Sequence, residues 1–468
     1  MVVGEMTEHS DVIVIGGGPA GYTAALRASQ LGKIVTLVEK NTNKLGGLCL
    51  QYGCIPSKFF IHASDLFFGE KNYKDFGIKA SSVSIDFVET KQFLEKVIRR
   101  LNEDIHSELQ KAGVEIVFGK ARFVKSNELH VEMEHDTMGL TADKIIIATG
   151  TKPKELDGLK FDHRNVLQMD EVFGLNTIPQ SMAVIGGGAL SVQVAHIFQK
   201  LGCQVVLVHR SGLLKKVDDQ AVSLVKHRLE ELGALIIQGE IHSSTNNDKG
   251  IVLSVAKADE KMESIPFEKA VVSIGRVADT DWLNLEATHA TLDENGFVEI
   301  DDQCQTKDKH IMAIGDVTGS FGAGYSFYMG KIAGEISAGK KSGLDATAIP
   351  KVVYSDPEIA FVGLQKKEAI KTGQQIIEGH FSFAGNGKAS TENEVRGFVS
   401  VYADPLSHII LGGIIAGKNA SELINQLSFS IEMSSRLEDI IGTVFAHPTY
   451  SEAVKNACEN ALTSVKKK

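Results

Sequence analysis

Five cysteines in 468 residues, an odd number and scattered apart from one pair, are too few for a disulfide framework. The fold must rest on packing, and a reducing compartment suits the chain. No apolar run approaches the roughly 18 residues of a membrane span. The opening Met1 to Ser10 is polar and mixed in charge, so no secretory signal is read. Positive charge is also in short supply: 49 basic against 59 acidic residues leave a formal charge of -10, which disfavours nucleic acid or an anionic membrane as the main partner. The run Lys466-Lys467-Lys468 reads as a solvated end. No low-complexity linker divides the chain, and no metal-ligand set is read. These absences lead to the expectation of a cytoplasmic, soluble protein.

The composition present, 43% hydrophobic and 23% charged, is that of globular domains. The length predicts roughly three or four of them. Asp11 to Ile15 is a short apolar run that ends in Gly16-Gly17-Gly18-Pro19-Ala20-Gly21. Helix-compatible spacing follows toward Gly32, and a second strand from Lys33 to Val38 ends at Glu39. Glycines at 16, 18 and 21 allow a tight turn, close approach of a pyrophosphate and close helix–strand packing, with the helix N-terminus facing the phosphates. Glu39 is placed to accept hydrogen bonds from a ribose.

The pattern returns as Met182 to Ile185, then Gly186-Gly187-Gly188-Ala189-Leu190-Ser191, a helix to Leu201 and a strand Gln204 to Val208. Two such units predict two nucleotides and an α/β fold with two Rossmann-like domains. The second unit ends at His209, not at an acid, and Arg210, Lys215 and Lys216 follow. Basic groups there suit a 2′-phosphate, so NADP is favoured over NAD, with a plain solvated loop as the alternative. Strands at Lys144 to Ala148 and His310 to Ile314 run into Thr149-Gly150 and Gly315-Asp316, at the rim where such sheets bind ligands. Asp316 is also a candidate helix cap.

Cys49 and Cys54 lie in Gly46-Gly47-Leu48-Cys49-Leu50-Gln51-Tyr52-Gly53-Cys54-Ile55-Pro56-Ser57-Lys58. A straight helix would separate their Cα atoms by about 7.5 Å. A disulfide needs about 4.4 to 6.8 Å, so the pair closes only if the segment bends, as Gly53 and Pro56 permit. The placement suggests a redox-active dithiol. Thiol exchange also needs a base for the incoming thiol. His447, next to Pro448 and five positions before Glu452, suits an imidazole–carboxylate dyad for that task.

Together with Gly275-Arg276, Gly315-Asp316-Val317, Tyr354 to Ala360, Asn419 to Ile424 and His447-Pro448-Thr449, these motifs make nearly the whole chain resemble the flavin-dependent pyridine nucleotide-disulfide oxidoreductases, most closely their dihydrolipoamide dehydrogenase branch. The resemblance implies FAD in the first site, NAD or NADP in the second, and a C-terminal α+β domain that forms a homodimer with shared active sites. It makes Cys49 the thiol that exchanges with a dithiol or disulfide substrate, possibly the lipoyl group of a dehydrogenase complex, and Cys54 the thiol that contacts the flavin. Lys58 would lie near the reactive flavin nitrogen, and Asp316 near the ribityl chain. His447, oriented by Glu452, would act across the dimer. Cofactor contacts would further include Gly47, Thr149, Gly150, Gly186, Gly188, Ser191, Gln193, His209, Arg210, Lys216, Gly275 and Arg276.

Three departures stand out. Gln193 replaces a glutamate that pairs with the lysine at Lys58, Phe445 a second histidine, and Gly324-Tyr325 an Ala-His pair. With the basic loop they point toward NADPH-using reductases of glutathione or mercuric-ion type as an alternative, and a flavin-binding assembly subunit as a third reading. The expected layout is an FAD domain at 1–152, a nicotinamide domain at 153–275, a return segment at 276–347 and a dimerisation domain at 348–468. Long helices are expected within Phe59 to Gly113, with Phe93, Leu94, Val97, Ile98 and Leu101 as a core stripe. Val114 to Val131 reads as a strand pair.

Overall fold

The structure, a computed structural model, describes residues 7–69, 75–79, 83–257 and 261–465. The Lys466–Lys468 tail and the start of the Met1–Ser10 segment lie outside the described residues.

The chain opens with β1 (Thr7–Ile15), α1 (Pro19–Gln30), β2 (Val35–Glu39), α2 (Gly47–Gln51), α3 (Cys54–Gly69) and α4 (Phe87–Lys111). Then come β3 (Glu115–Phe118), β4 (Lys120–Lys125), β5 (Glu128–Glu132) and β6 (Thr137–Ile147). The six strands lie in the order β3-β2-β1-β6-β5-β4. β1, β2, β3 and β6 are parallel, and helices and loops cover both faces, so Val12 to Ile15 and Leu37 are almost wholly buried.

Val114 to Val131 is not one strand pair but three strands. β3 extends the parallel side beyond β2, while β4 and β5 form a hairpin on the far side of β6. Apolar residues run on from Ile116, Val117 and Phe118 to Ala121 and Phe123, which hides the change of partner. It occurs at Gly119, where a Cβ would stand 2.6 Å from the Val131 side chain and 2.8 Å from the Glu132 carbonyl. In α4, Leu94 is buried as expected, but Phe93 is 60% exposed and so leaves the expected core stripe.

β7 (Thr151–Pro153) leads out of the first sheet, and β8 (Val166–Gln168) begins the second. β9 (Ser181–Ile185), α5 (Ala189–Lys200), β10 (Gln204–His209), α6 (Asp219–Glu231), β11 (Leu235–Asn247), β12 (Gly250–Lys257), β13 (Met262–Phe267) and β14 (Lys269–Val272) complete it, in the order β13-β12-β11-β10-β9-β14-β8. β15 (Arg276–Ala278) pairs antiparallel with β7, making a two-stranded ribbon back to the first unit. There β16 (Ile311–Ala313) adds to the upper half of β6. α7 (Ala323–Ser337) then packs along α1 through small residues. A Cβ on Gly330 would lie 2.4 Å from the Ala20 carbonyl, and one on Gly334 would lie 2.8 Å from that of Ala24.

The last unit holds β17 (Lys351–Val353), β18 (Ile359–Gly363), α8 (Lys366–Thr372), β19 (Ile377–Ser382), α9 (Gly387–Thr391), β20 (Phe398–Ala403), β21 (Ile410–Ala416), α10 (Ala420–Glu432), α11 (Leu437–Gly442) and α12 (Glu452–Val465). Its antiparallel sheet runs β17-β18-β21-β20-β19, and α12 lies so close on β19 that a Cβ on Gly379 would meet the Ala457 carbonyl at 1.9 Å.

An ion cluster joins these units. Lys200 of α5, with its side chain 7% exposed, lies 2.6 Å from Asp65 of α3 and 2.7 Å from Asp356, which also receives Arg228 of α6 at 3.0 Å. Burial alone would push the Asp356 carboxyl up; Lys200 and Arg228 outweigh it and hold the group well below the usual carboxylate range. His196 lies beside them, 3% exposed, with Nδ1 on the Val192 carbonyl at 3.0 Å and Nε2 buried without a partner. Burial holds its pKa down to about 4.

Candidate active site

The dithiol segment bends where two helices abut. Gly46 and Gly47 both take positive φ, 84° and 55°, and turn the chain into α2. After α2 the amides of Tyr52 and Gly53 both fold back to the Leu48 carbonyl, at 3.0 and 2.7 Å, and α3 restarts at Cys54. A Cβ at Gly53 would crowd that same carbonyl at 3.1 Å. The break brings Cys49 and Cys54 together, their side chains hydrogen-bonded to each other.

The two sulfurs are not equivalent. The hydrogen bond from Cys49, helped by the Lys58 cation against burial, pulls the Cys54 thiol down. Cys49, as the donor and partly buried, is pushed up. Of the two sulfurs, Cys54 is the one whose surroundings favour the charged form.

Lys58 Nζ stands 3.7 Å over the ring of Tyr354 and 3.4 Å from the Ser57 hydroxyl. Burial lowers its pKa, opposed by Cys54, Cys49 and Glu358. Glu358 itself accepts the Ser421 amide at 2.9 Å, at the start of α10. Gln193, 3% exposed, borders a small cavity with Leu48, Tyr52, Gly53 and Phe173, and its Oε1 has no partner. Tyr354 and Glu358 were named from the sequence only as part of the Tyr354 to Ala360 motif, with no role beside Lys58, because that nearness spans some three hundred positions.

The first glycine turn fits a dinucleotide. A Cβ on Gly21 would lie 1.8 Å from the Gly16 carbonyl, and one on Gly47 would lie 2.7 Å from Gly18 Cα, so bare backbone lines the cradle. Gly18 precedes α1, whose first residue is Pro19. The Glu39 carboxylate holds the Gly17 amide at 2.7 Å and the Asn41 amide at 2.8 Å, fixing it at the strand end where a ribose would sit. Gly150 (φ 70°) follows Thr149, whose Oγ1 is buried and unpartnered, an unused polar group at the sheet rim. Asp316 lies inside the short helical turn Gly315–Thr318, not at its cap, and takes the Gly322 amide ahead of α7. Burial pushes its carboxyl up, and Gly322 and Arg276 pull it back.

The second glycine turn repeats the design. A Cβ on Gly186 would meet the Ser273 carbonyl at 2.1 Å, Gly188 opens onto free space, and Ser191 Oγ reaches the Ser273 carbonyl at 3.4 Å. His209 is turned inward, its Nδ1 accepting the Gly212 amide at 3.1 Å, so it braces the loop. Arg210 is exposed, 3.6 Å from Glu240, and Lys216, six positions on, is exposed as well. Gly275 (φ 123°) accepts the Lys154 amide through its carbonyl. Arg276 grips Asp170 through two nitrogens, at 2.8 and 3.1 Å, and Thr151, bracing the crossover ribbon. Asp170 was not foreseen from the sequence.

His447 Nδ1 is 2.9 Å from Glu452 Oε1, and Glu452 Oε2 accepts the Thr449 amide at 2.9 Å. Those two bonds, the Thr449 amide first, lower the Glu452 pKa. The His447 side chain is 78% exposed on the single chain. Elsewhere, His9, Asp11 and Asp143 bring one ligand atom each within 4.8 Å of one another on the surface, a grouping that their spacing in sequence does not announce. Among the described residues no helix is long and apolar enough to cross a membrane.

Residues 10–338 match the family described as pyridine nucleotide-disulphide oxidoreductase, and residues 349–458 match that family's dimerisation domain. The chain is 38% identical over 467 residues to dihydrolipoyl dehydrogenase 2 of Haloarcula marismortui, covering 98% of each chain. It is 36% identical to the dihydrolipoyl dehydrogenase of Geobacillus stearothermophilus, over 99% of this chain and 98% of that one. Among solved structures, LpdA from Mycobacterium tuberculosis superposes with a TM-score of 0.89 at 23% identity, over 97% of this chain and 99% of that one. The flavoprotein disulfide reductase RclA of Escherichia coli superposes with a TM-score of 0.83 at 22% identity, with the same coverage. With both domains matched and the relatives aligned end to end, the chain belongs to the pyridine nucleotide-disulphide oxidoreductase family.

Proposed function

We propose that this FAD-dependent oxidoreductase acts as a dihydrolipoyl dehydrogenase, exchanging two electrons between a lipoyl-type dithiol and a nicotinamide nucleotide. The observation that carries the reading is the Cys49/Cys54 pair, held together at a helix break with Lys58 one turn further along α3. The names of the aligned relatives favour the lipoyl group over other disulfides.

In this reading the protein's disulfide is attacked at Cys49 by a substrate thiolate, and Cys54 leaves as the thiolate, for which its surroundings suit it. The second substrate thiol attacks the mixed disulfide and releases Cys49, leaving an oxidised substrate and a reduced protein. His447 of the partner subunit removes the thiol proton, and Glu452 fixes its tautomer and stabilises the cation. The exposure of His447 on a lone chain supports a role across the dimer. FAD bound at Gly16–Gly21, Glu39 and Asp316 would carry the electron pair on to a nicotinamide ring held at Gly186–Ser191.

Arg210 and Lys216, exposed where β10 ends without a carboxylate, favour NADP at that second site. The proposed division is 1–152 for FAD, 153–275 for the nicotinamide nucleotide, 276–347 for the return segment and 348–468 for dimerisation. The test is turnover with dihydrolipoamide, glutathione disulfide and mercuric ion in parallel, each with both nucleotides. Fastest turnover of dihydrolipoamide supports the reading; activity confined to either other substrate refutes it.

A further inference from the structure

Lys58 is a cation acting on Cys54, and the partner expected for it at position 193 carries no charge. Its surroundings come from two distant parts of the chain. From the dithiol helices, Cys49 and Cys54 face it. From the last unit come the face of Tyr354, 3.7 Å below Nζ, and the carboxylate of Glu358. Glu358 is tied to the start of α10 by the Ser421 amide, and Tyr354 directly follows β17, so neither group rides on a loose loop.

We propose that Tyr354 is a positioning residue: its ring face, with the Glu358 carboxylate attracting the same cation, holds the Lys58 ammonium beside Cys54 and thereby keeps the dithiol reactive. The proposal rests on the disulfide-exchange reading above. An ammonium centred on an aromatic face is attracted by the ring quadrupole, more strongly where water is excluded. Lys58 has a flexible four-carbon stem and one weak bond, to Ser57 Oγ at 3.4 Å, so without the ring its ammonium is less firmly fixed beside the sulfurs. A cation that withdraws from a thiolate raises that thiol's pKa. The charged and titratable groups around Cys54 are Cys49, Lys58 and Asp316, and those around Tyr354 are Glu358, Glu422 and both sulfurs. Lys58 is the only cation of this chain in these two sets; in the dimer His447 of the partner subunit also faces the dithiol in the functional reading, so the Lys58→Met background below isolates the lysine's share.

The test is the pH profile of iodoacetamide alkylation of the reduced pair in the flavin-loaded dimer, read by mass spectrometry. The midpoint belongs to the coupled pair. Tyr354→Phe keeps the ring and should leave it in place, whereas Tyr354→Leu should raise it by about one unit, a roughly tenfold loss of thiolate below the midpoint. Fluorinated phenylalanines at the same position weaken the ring quadrupole at nearly constant volume, so one to three fluorines should raise the midpoint stepwise even if the leucine variant does not fold. In a Lys58→Met background none of these changes should move it further. An unchanged midpoint across the fluorine series, or an equal shift without Lys58, overturns the proposal. Alkylation needs no lipoyl substrate, so failure of the functional reading would show separately, as absent turnover in the unaltered protein.

Discussion

His196 makes the ion cluster between the units acid-sensitive, and the size of the effect follows from its setting. Nδ1 donates to the Val192 carbonyl, and Nε2 faces protein with no acceptor, so a second proton there would create a buried cation with one unsatisfied donor. Asp356 attracts that proton, but burial, Lys200 and Arg228 oppose it, and the pKa stands near 4 against an ordinary 6.5. The unfolded chain therefore takes up the proton first. The stabilisation is complete above pH 6.5 and is lost as pH falls toward 4, where both states are charged. The shift corresponds to about 3 kcal/mol in full and about 2 kcal/mol by pH 5. Equilibrium urea unfolding at fixed protein and flavin concentration, at pH 8 and pH 5, measures it. His196→Leu will differ from the unaltered protein at pH 8 through packing, but between the two pH values it should lose about 2 kcal/mol less. Parallel losses in the two proteins would refute the reasoning.

The dyad is tested by His447→Gln, which should lower turnover about 10² to 10⁴-fold; Glu452→Gln should cost less, since Thr449 can still hold the side chain. Mixed dimers of Cys49→Ala and His447→Ala chains should regain activity through one intact pairing, and no recovery in verified mixed dimers would contradict a shared site. Partial reduction should produce a long-wavelength thiolate–flavin absorption band that Cys54→Ser removes and Cys49→Ser keeps; the opposite pattern would exchange the two cysteines' roles. Gly21→Ala, whose Cβ would fall 1.8 Å from the Gly16 carbonyl, should sharply lower the flavin content of the purified protein, read from its visible absorbance. Arg210→Ala and Lys216→Ala should raise KM for NADPH more than for NADH, and equal losses for both nucleotides would sink the 2′-phosphate argument.

Both glycine turns are legible because the requirement is local: strand, bare backbone and helix must follow one another within about twenty residues. The bend between Cys49 and Cys54 is legible for the same reason, since Gly53 and Pro56 lie between or beside them. The His447–Glu452 contact spans five positions and could be proposed from spacing and motif together. What escaped notice depends on distant segments meeting. Tyr354 beside Lys58, Asp170 under Arg276 and Asp356 between Lys200 and Arg228 are products of the tertiary arrangement, and no periodicity encodes them. Gly119 escaped for another reason: apolar residues continue on both sides of it, as a contiguous run in β3 and an alternation in β4, and either pattern reports strand but not which neighbour the strand takes.

The placement of β16 bears on the order in which the protein is made. β5 covers only the lower part of β6, so until residues 311–313 arrive, Ile145, Ile146 and Ile147 offer unpaired backbone along a greasy margin. A nascent chain emerging from the ribosome must shelter that margin while more than 150 further residues are translated. Asp316, expected beside the bound flavin, also follows β16 in the chain, so fragments cut before residue 311 should be sticky and colourless.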